Sequence, residues 1–469
     1  MSDTDLFRLF ASLMTLLLAA HLMGRLFTRL RQPPVIGEIL GGLFFGPSLF
    51  GLIAPDAQAW LFPKTGPAAS GLALIYQLGI LLLMFLAGIQ MRAVFARQDS
   101  RVVGIIAVVG MVVPFAFGLL LVQVVDLSDV MGKAADKTAL TLVIACAVAI
   151  TSIPVISRIM LDLGIAGTAF ARVVLSVAVL EDIVLNVVIA IALGMVDSGK
   201  HDTFGAAALL GVGSGYGSVA YHALVSVGFF GLMAVVSVVA RRLLGGGPKN
   251  GAGLRGGARD LSHSRVAVQL SLVLAAAGGC LFLGITPMYG AFVVGLVAGW
   301  GRSQETAGSE PAKAVHGFAT GFFIPVYFAV VGLKLDLVHS FAPLFTLLFI
   351  AFACVVKAAS VYAGARWAGR PPADSVNLAV AMNARGGPGI VLATLSYDAG
   401  IINATLFTTL VLTAVITSLM AGSWLERAIS RGLLPRTDAS LPPVAEGAEG
   451  SERSERRPEP AGAGAGQAS

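Results

Sequence analysis

Charge is what this chain has least of: only 12% of its 469 residues are Asp, Glu, Lys or Arg, while 56% are hydrophobic. A soluble domain usually carries about 25% charged residues, so the shortfall excludes an ordinary soluble globule and leaves a polytopic membrane protein. Cysteine is scarce too. Cys146, Cys280 and Cys354 each stand alone in an apolar run, with no Cys-x-x-Cys and no His at metal-ligand spacing, which leaves packing as their role. There is no Gly-x-x-x-x-Gly-Lys-[Ser/Thr] loop to hold ATP, and no Gly-x-Gly-x-x-Gly turn after a strand. An intramembrane protease is disfavoured as well: the sequence Gly-x-Gly-Asp is missing, and Ser214 in the Gly-rich stretch 211–217 lacks a placed His partner. The net charge of +6 would suggest nucleic acid as a partner of a soluble protein, but here it is read as the mark of cytoplasmic loops, with no nucleic-acid binding.

What is there is a series of apolar runs about 20 residues long, each of a length to cross a bilayer as a helix. Thirteen are expected, at 6–28, 35–53, 71–91, 102–124, 138–161, 167–195, 221–243, 264–283, 287–301, 314–333, 341–367, 374–397 and 403–428. The Gly/Ala-rich stretch 204–217 is a candidate for a further short or re-entrant helix. The first run is followed by Arg25, Arg29 and Arg31 and has no small-residue cleavage site, so it is read as a spanning helix and not as a signal peptide. Alternate loops hold eighteen basic residues, against five (Lys64, Lys133, Lys137, Lys200 and Lys334) in the opposite loops. That asymmetry predicts an N-terminus outside and a C-terminus in the cytoplasm. With no transit or signal segment recognised, the expected location is a prokaryotic plasma (inner) membrane.

One membrane domain is therefore expected over residues 1–436, with a flexible cytoplasmic linker at about 245–264 and a disordered tail over 437–469, where bulky apolar side chains nearly vanish. No ligand-sensing domain and no cofactor are expected.

Four charges fall deep inside apolar stretches: Glu181 and Asp182 in 173–193, Lys357 in 344–365 and Arg385 in 376–395. An ionisable group at bilayer depth costs roughly 2.5–3.5 kcal/mol even on the lenient insertion scale, so such residues point to an ion or proton pathway. Two of the runs also contain helix breakers. Ile150-Thr151-Ser152-Ile153-Pro154 interrupts the fifth, and Asn383-Ala384-Arg385-Gly386-Gly387-Pro388-Gly389 the twelfth. Each proline is expected to leave a carbonyl unpaired, that of Ile150 and that of Ala384, which is tolerated at depth only beside a polar cavity or inside protein. The acids follow the first break and Lys357 precedes the second, the mirror order of an inverted repeat.

Glu181 and Asp182 are consecutive, so they point about 100° apart on a helix and need separate roles. Asp182 shares a small, polar stripe with Ala178 and Asn186, suited to a carboxylate that coordinates a dehydrated ion. Glu181 needs a cation, and Lys357 is the candidate. The expected ion- and proton-binding set is Asp182, Glu181, Thr151 and Ser152, with Lys357 and Arg385 as charge partners. Proton and monovalent cation then compete for Asp182, which suffices for an exchanger. Sodium-coupled uptake of an organic acid, or a cation channel or sensor, are the alternatives on this architecture. Glu38 is expected to be structural, His21 a polar interface residue, and Arg158, like Arg385, a partner of acids or a guide for ions on the cytoplasmic side.

These segments resemble the monovalent cation:proton antiporters, in the branch of Kef-type potassium efflux systems and bacterial Na+/H+ antiporters. The resemblance rests on the stretch from Arg31 to Leu40 (Arg-Gln-Pro-Pro-Val-Ile-Gly-Glu-Ile-Leu), Gly46-Pro47-Ser48-Leu49, Leu83-Met84-Phe85-Leu86-Ala87-Gly88, the Glu181-Asp182 helix, Val331-Gly332-Leu333-Lys334-Leu335-Asp336-Leu337 and Asn383-Ala384-Arg385-Gly386. It implies an all-α fold of two inverted repeats with two crossed, discontinuous helices, a dimerisation domain and a moving core, hence a homodimer in lipid. It also implies that Asp182 binds the cation and the proton, and that Lys357 pairs with Glu181. Glu-Asp departs from the Asp-Asp of sodium exchangers and the Gln-Asp of potassium efflux systems, which leaves Na+ or K+ open. Gly387 stands where many relatives have an acid.

Overall fold

A computed structural model describes residues 1–30, 32–91, 100–165, 168–197, 205–210, 216–244, 260–299 and 316–434. Of the expected linker over about 245–264, residues 245–259 lie outside the described residues, as does the expected tail from 437, whereas 260–264 are helical and not linker. Each of the thirteen apolar runs contains helix among its described residues, and no strand occurs among the described residues. Among the described residues, eight helices are long and apolar enough to cross a membrane, and five further apolar helices are shorter.

The first half of the chain gives α1 (Asp3–Arg29), α2 (Pro34–Phe44), α3 (Pro67–Met91), α4 (Ser100–Val124), α5 (Lys137–Ala149), α6 (Ile153–Asp162) and α7 (Ala169–Asp197). After α8 (Tyr216–Leu244) the second half gives α9 (Asp260–Phe282), α10 (Pro287–Gly299), α11 (Ile324–Lys334), α12 (Pro343–Trp367), α13 (Pro372–Ala381), α14 (Gly386–Asp398) and α15 (Ala404–Ser430). One wide π-helical turn, Ala319–Phe323, leads into α11. The expected helix 35–53 is shorter than its apolar run, because Pro47 ends it, and two short helices, Phe50–Ile53 and Pro55–Leu61, follow. Within 204–217 the described helical residues are the short helix Ala206–Leu209 and Tyr216 and Gly217, which begin α8.

The helices sort into two bundles. In one, α1, α2, α3, α9, α10 and α11 pack on one another; in the other, α4 to α7 pack with α12 to α15. Each half of the chain thus supplies three helices to the first bundle and then a straight, a broken and a straight span to the second. The two sets of six spans are separated by α8, which packs on α7 and α10. An offset of seven spans is odd, so the second set crosses the membrane in the reverse sense, which is an inverted repeat.

Lipid tails give apolar helices no reason to associate, so close backbone approach has to supply the packing energy. The first bundle uses glycine for this. A Cβ on Gly42 of α2 would strike the Ala329 carbonyl of α11, and one on Gly332 of α11 would strike the Ile39 carbonyl of α2. The second bundle instead encloses its broken helices. The α13–α14 span has a mean hydropathy of only 1.2 but is 83% buried, whereas α1, at 1.8, is only 22% buried. At one end of this bundle Asp136 caps α5, accepting from the N–H groups of Thr138 and Ala139, and Asn403 caps α15 through Thr405 and Leu406. The loops before these caps pair with each other: Gly132 N donates to Ile401 O, Ala134 N to Gly400 O, and Asn403 N to Val130 O.

Candidate ion-exchange site

The fifth span stops as a helix at Ala149 and resumes at Ile153; the twelfth stops at Ala381 and resumes at Gly386. Pro154 and Pro388 therefore lie in the first turns of α6 and α14, where a helix makes no use of the missing N–H. This corrects the expectation of an unpaired Ala384 carbonyl. The two interruptions meet, and Ala384 O accepts from Ser152 N at 2.6 Å, while Thr151 Oγ1 lies 2.8 Å from Met382 O. Gly386 adopts φ +30°, and a Cβ there would fall 2.7 Å from Ser152 Oγ as well as onto Val155. Glycine is thus what lets the breaks cross.

A helix that stops inside a membrane leaves its last carbonyls without partners and a partial negative charge at that end. For α5 two cations provide both the hydrogen bonds and the countercharge. Arg385 Nε donates to Ala147 O at 3.2 Å and Nη2 to Val148 O at 3.2 Å, and Lys357 Nζ donates to Ala149 O at 2.6 Å. Arg385 also reaches Ala353 O at 2.8 Å, Asn383 O at 3.2 Å and Asn383 Oδ1 at 3.1 Å. All five guanidinium N–H groups are used, none of them on a carboxylate. The expected pairing of Arg385 with an acid is not seen: its fork is taken up by main-chain carbonyls and the Asn383 amide oxygen.

Lys357 is fully engaged as well. Besides Ala149 O it donates to Gly110 O at 2.9 Å and to Glu181 Oε2 at 2.8 Å, with both side chains at zero exposure. Thr151 Oγ1 lies 2.8 Å from the same Glu181 oxygen. Glu181, Lys357, Thr151 and Arg385 thus form one buried cluster at the crossing.

Asp182 stands apart from it. Its residue is 1% exposed, and its Oδ1 is buried without a hydrogen-bond partner. Asn186 does not serve it, because Asn186 Nδ2 donates to the backbone carbonyl of Asp182 at 2.8 Å. Asp182 is therefore a buried carboxylate with a coordination position to spare.

A cavity of about 220 Å³ runs between the bundles to the crossing, lined among others by Pro34 of α2, Met84 of α3, Thr320, Phe328, Val155 of α6 and Pro388 of α14. Of the weaker candidates, His21 Nε2 lies 2.8 Å from Gly321 O in the π-helical turn, and Glu38 Oε2 is buried without a hydrogen-bond partner. The side chain of Arg158 lies outside the described residues.

Thr417 and Ser418 escape the sequence reading. Ser418 Oγ accepts from Gly386 N at 3.1 Å and Thr417 Oγ1 from Arg385 N at 3.4 Å, satisfying the start of α14. The signal was available: Thr409, Thr413 and Thr417 recur every four residues in α15, a polar face on an apolar helix.

Residues 14–431 match the family described as sodium/hydrogen exchanger, transmembrane. The chain is 29% identical over 427 residues to the Na+/H+ antiporter NhaS4 of Synechocystis, covering 90% of this chain and 97% of that protein. It is 24% identical to the Na+/H+-K+ antiporter GerN of Bacillus cereus, covering 90% and 96%. With the yeast K+/H+ antiporter 1 identity is 26% over 86% of this chain, which spans only 44% of that longer protein. The solved structure of the sodium proton antiporter MjNhaP1 from Methanocaldococcus jannaschii superposes with a TM-score of 0.61 at 14% identity, over 92% of this chain and 99% of the other, and so shares the fold. With the family match running through both inverted repeats and both broken helices, the chain belongs to the transmembrane sodium/hydrogen exchanger family of multi-pass membrane proteins.

Proposed function

We propose that the protein is a secondary antiporter that exchanges a monovalent cation, Na+ or K+, for H+, and that the two compete for the Asp182 carboxylate. The observation that carries this reading is the buried, unpartnered Oδ1 of Asp182 beside a Glu181–Lys357 pair whose own charges are already matched. A lone buried carboxylate is costly as an anion and needs a positive occupant, either a proton or a dehydrated cation. Thr151 and Ser152, at the break facing Asp182's helix, are the candidates to supply further oxygen ligands. Alternating access would come from the second bundle moving against the first, so that the cavity opens to one face at a time. Loop charge supports an N-terminus outside and a C-terminus in the cytoplasm, and the family resemblance supports a homodimer in lipid.

The test is proton flux in reconstituted vesicles under an inside-acid gradient, with Na+, K+ or Li+ added outside in turn. One cation should dissipate the gradient with wild-type protein and none with Asp182→Asn. Exchange that persists in the folded variant would overturn the assignment of Asp182.

A further inference from the structure

Asp398, the last residue of α14, belongs to the second bundle, yet among the described residues its carboxylate bonds to the first. Lys334 Nζ, at the end of α11, donates to Asp398 Oδ1 at 2.6 Å, and the Tyr76 hydroxyl of α3 donates to Oδ2 at 2.9 Å. Lys334 Nζ also lies 4.3 Å from the centroid of the Tyr76 ring, a cation–π contact, and that ring stacks on Tyr327 at 5.3 Å. The three side chains meet at the seam between bundles.

The same three helices line the cavity farther along their length: α3 through Met84 and Ala87, α11 through Ile324 and Phe328, α14 through Gly387 and Pro388. At 1.5 Å per residue, Pro388 and Asp398 stand about 15 Å apart along α14. The seam is open at one end and tied at the other. Lys334 is among the few basic residues of the loops assigned to the outside, which puts the tie on the outer face and the opening on the inner one.

We propose that Asp398, Tyr76 and Lys334 form an outer latch that holds the inward-open arrangement and must release each time the site turns outward. This rests on the antiport reading only in assuming that the second bundle moves. Asp398 cannot follow the first bundle by a local flexing of its loop, because the residues after it are pinned by the Gly132–Ile401, Ala134–Gly400 and Asn403–Val130 hydrogen bonds. When the bundle moves, the latch breaks. The Lys334 and Asp398 side chains keep 28% and 29% of their exposure, and a partly hydrated pair of this kind is weak enough to open in every cycle.

The test uses the full chain carrying Thr320→Cys on the cavity wall, labelled from the inner side with a membrane-impermeant thiol reagent. Adding Asp398→Asn or Lys334→Gln should slow labelling by about two- to fivefold as the population shifts outward. The charge exchange Asp398→Lys with Lys334→Asp should restore it. Separately, Tyr76→Cys with Asp398→Cys, bridged by a short reducible bis-methanethiosulfonate, should stop cation-driven proton flux until reductant is added, while Thr320→Cys stays open to label. Unchanged labelling in both single variants, or exchange through the bridged protein, would overturn the latch. Labelling needs no transport, so it reads the latch even if Asp182→Asn were to leave exchange intact.

Discussion

Arg385 and Lys357 divide the last three carbonyls of the interrupted helix α5 between them, Arg385 taking Ala147 and Val148 and Lys357 taking Ala149. A half-helix ending in the membrane would otherwise leave bare acceptors and a negative dipole end at the crossing. The two bases therefore hold the break in shape.

Arg385→Lys is not conservative here. An ammonium has three donors where the guanidinium uses five, so at least two buried acceptors lose their partner, at about 1–3 kcal/mol each. The apparent unfolding temperature in detergent should fall by several degrees, with exchange reduced in proportion to misfolded protein and restored by neither higher cation concentration nor altered pH.

Lys357→Gln leaves Glu181 as a buried acid without its cation, and breaking such a pair costs about 3–5 kcal/mol. The double variant Lys357→Gln with Glu181→Gln should recover much of that loss in a thermal-stability assay. Equal damage from the single and double variants would mean that the lysine serves mainly the Gly110 and Ala149 carbonyls.

The four intramembrane charges at the crossing sum to zero when Asp182 is ionised, and to +1 whether a proton or one monovalent cation occupies it. One-for-one exchange is then electrically silent. Reconstituted exchange should be insensitive to an imposed membrane potential; a rate that follows the potential would require Glu181 or Lys357 to change charge during the cycle.

Competition at one carboxylate also fixes the pH response. Where the proton occupies the site, each unit of falling pH should raise the apparent cation Kd by up to about tenfold, and saturating cation should recover the maximal rate. In a thermal-shift assay, cation at about 100 times its Kd should stabilise wild type by about 2.7 kcal/mol and Asp182→Asn not at all.

Gly332→Ala tests the packing of the first bundle, since the added Cβ meets the Ile39 carbonyl of α2. A loss of about 1–3 kcal/mol in stability is expected, the usual cost of overpacking, with no change in which cation is exchanged.

The sequence by itself determined the membrane class, the thirteen spans, the two interruptions and the identity of the intramembrane charges, because each of these is a property of a stretch of some twenty residues: its apolar length, its prolines and glycines, and the cost of a charge in hydrocarbon. Asp182 and Lys357 are conspicuous for that reason alone. Only the tertiary structure decided what the charges touch. Arg385 reaches Ala147 across 238 residues of chain and Lys357 reaches Glu181 across 176, and which carbonyl lies within hydrogen-bond reach of a guanidinium depends on how two half-helices cross. The same holds for Asp398, an ordinary helix-end acid in sequence, which becomes a tie between two bundles because α3, α11 and α14 converge there and separate around a cavity farther along.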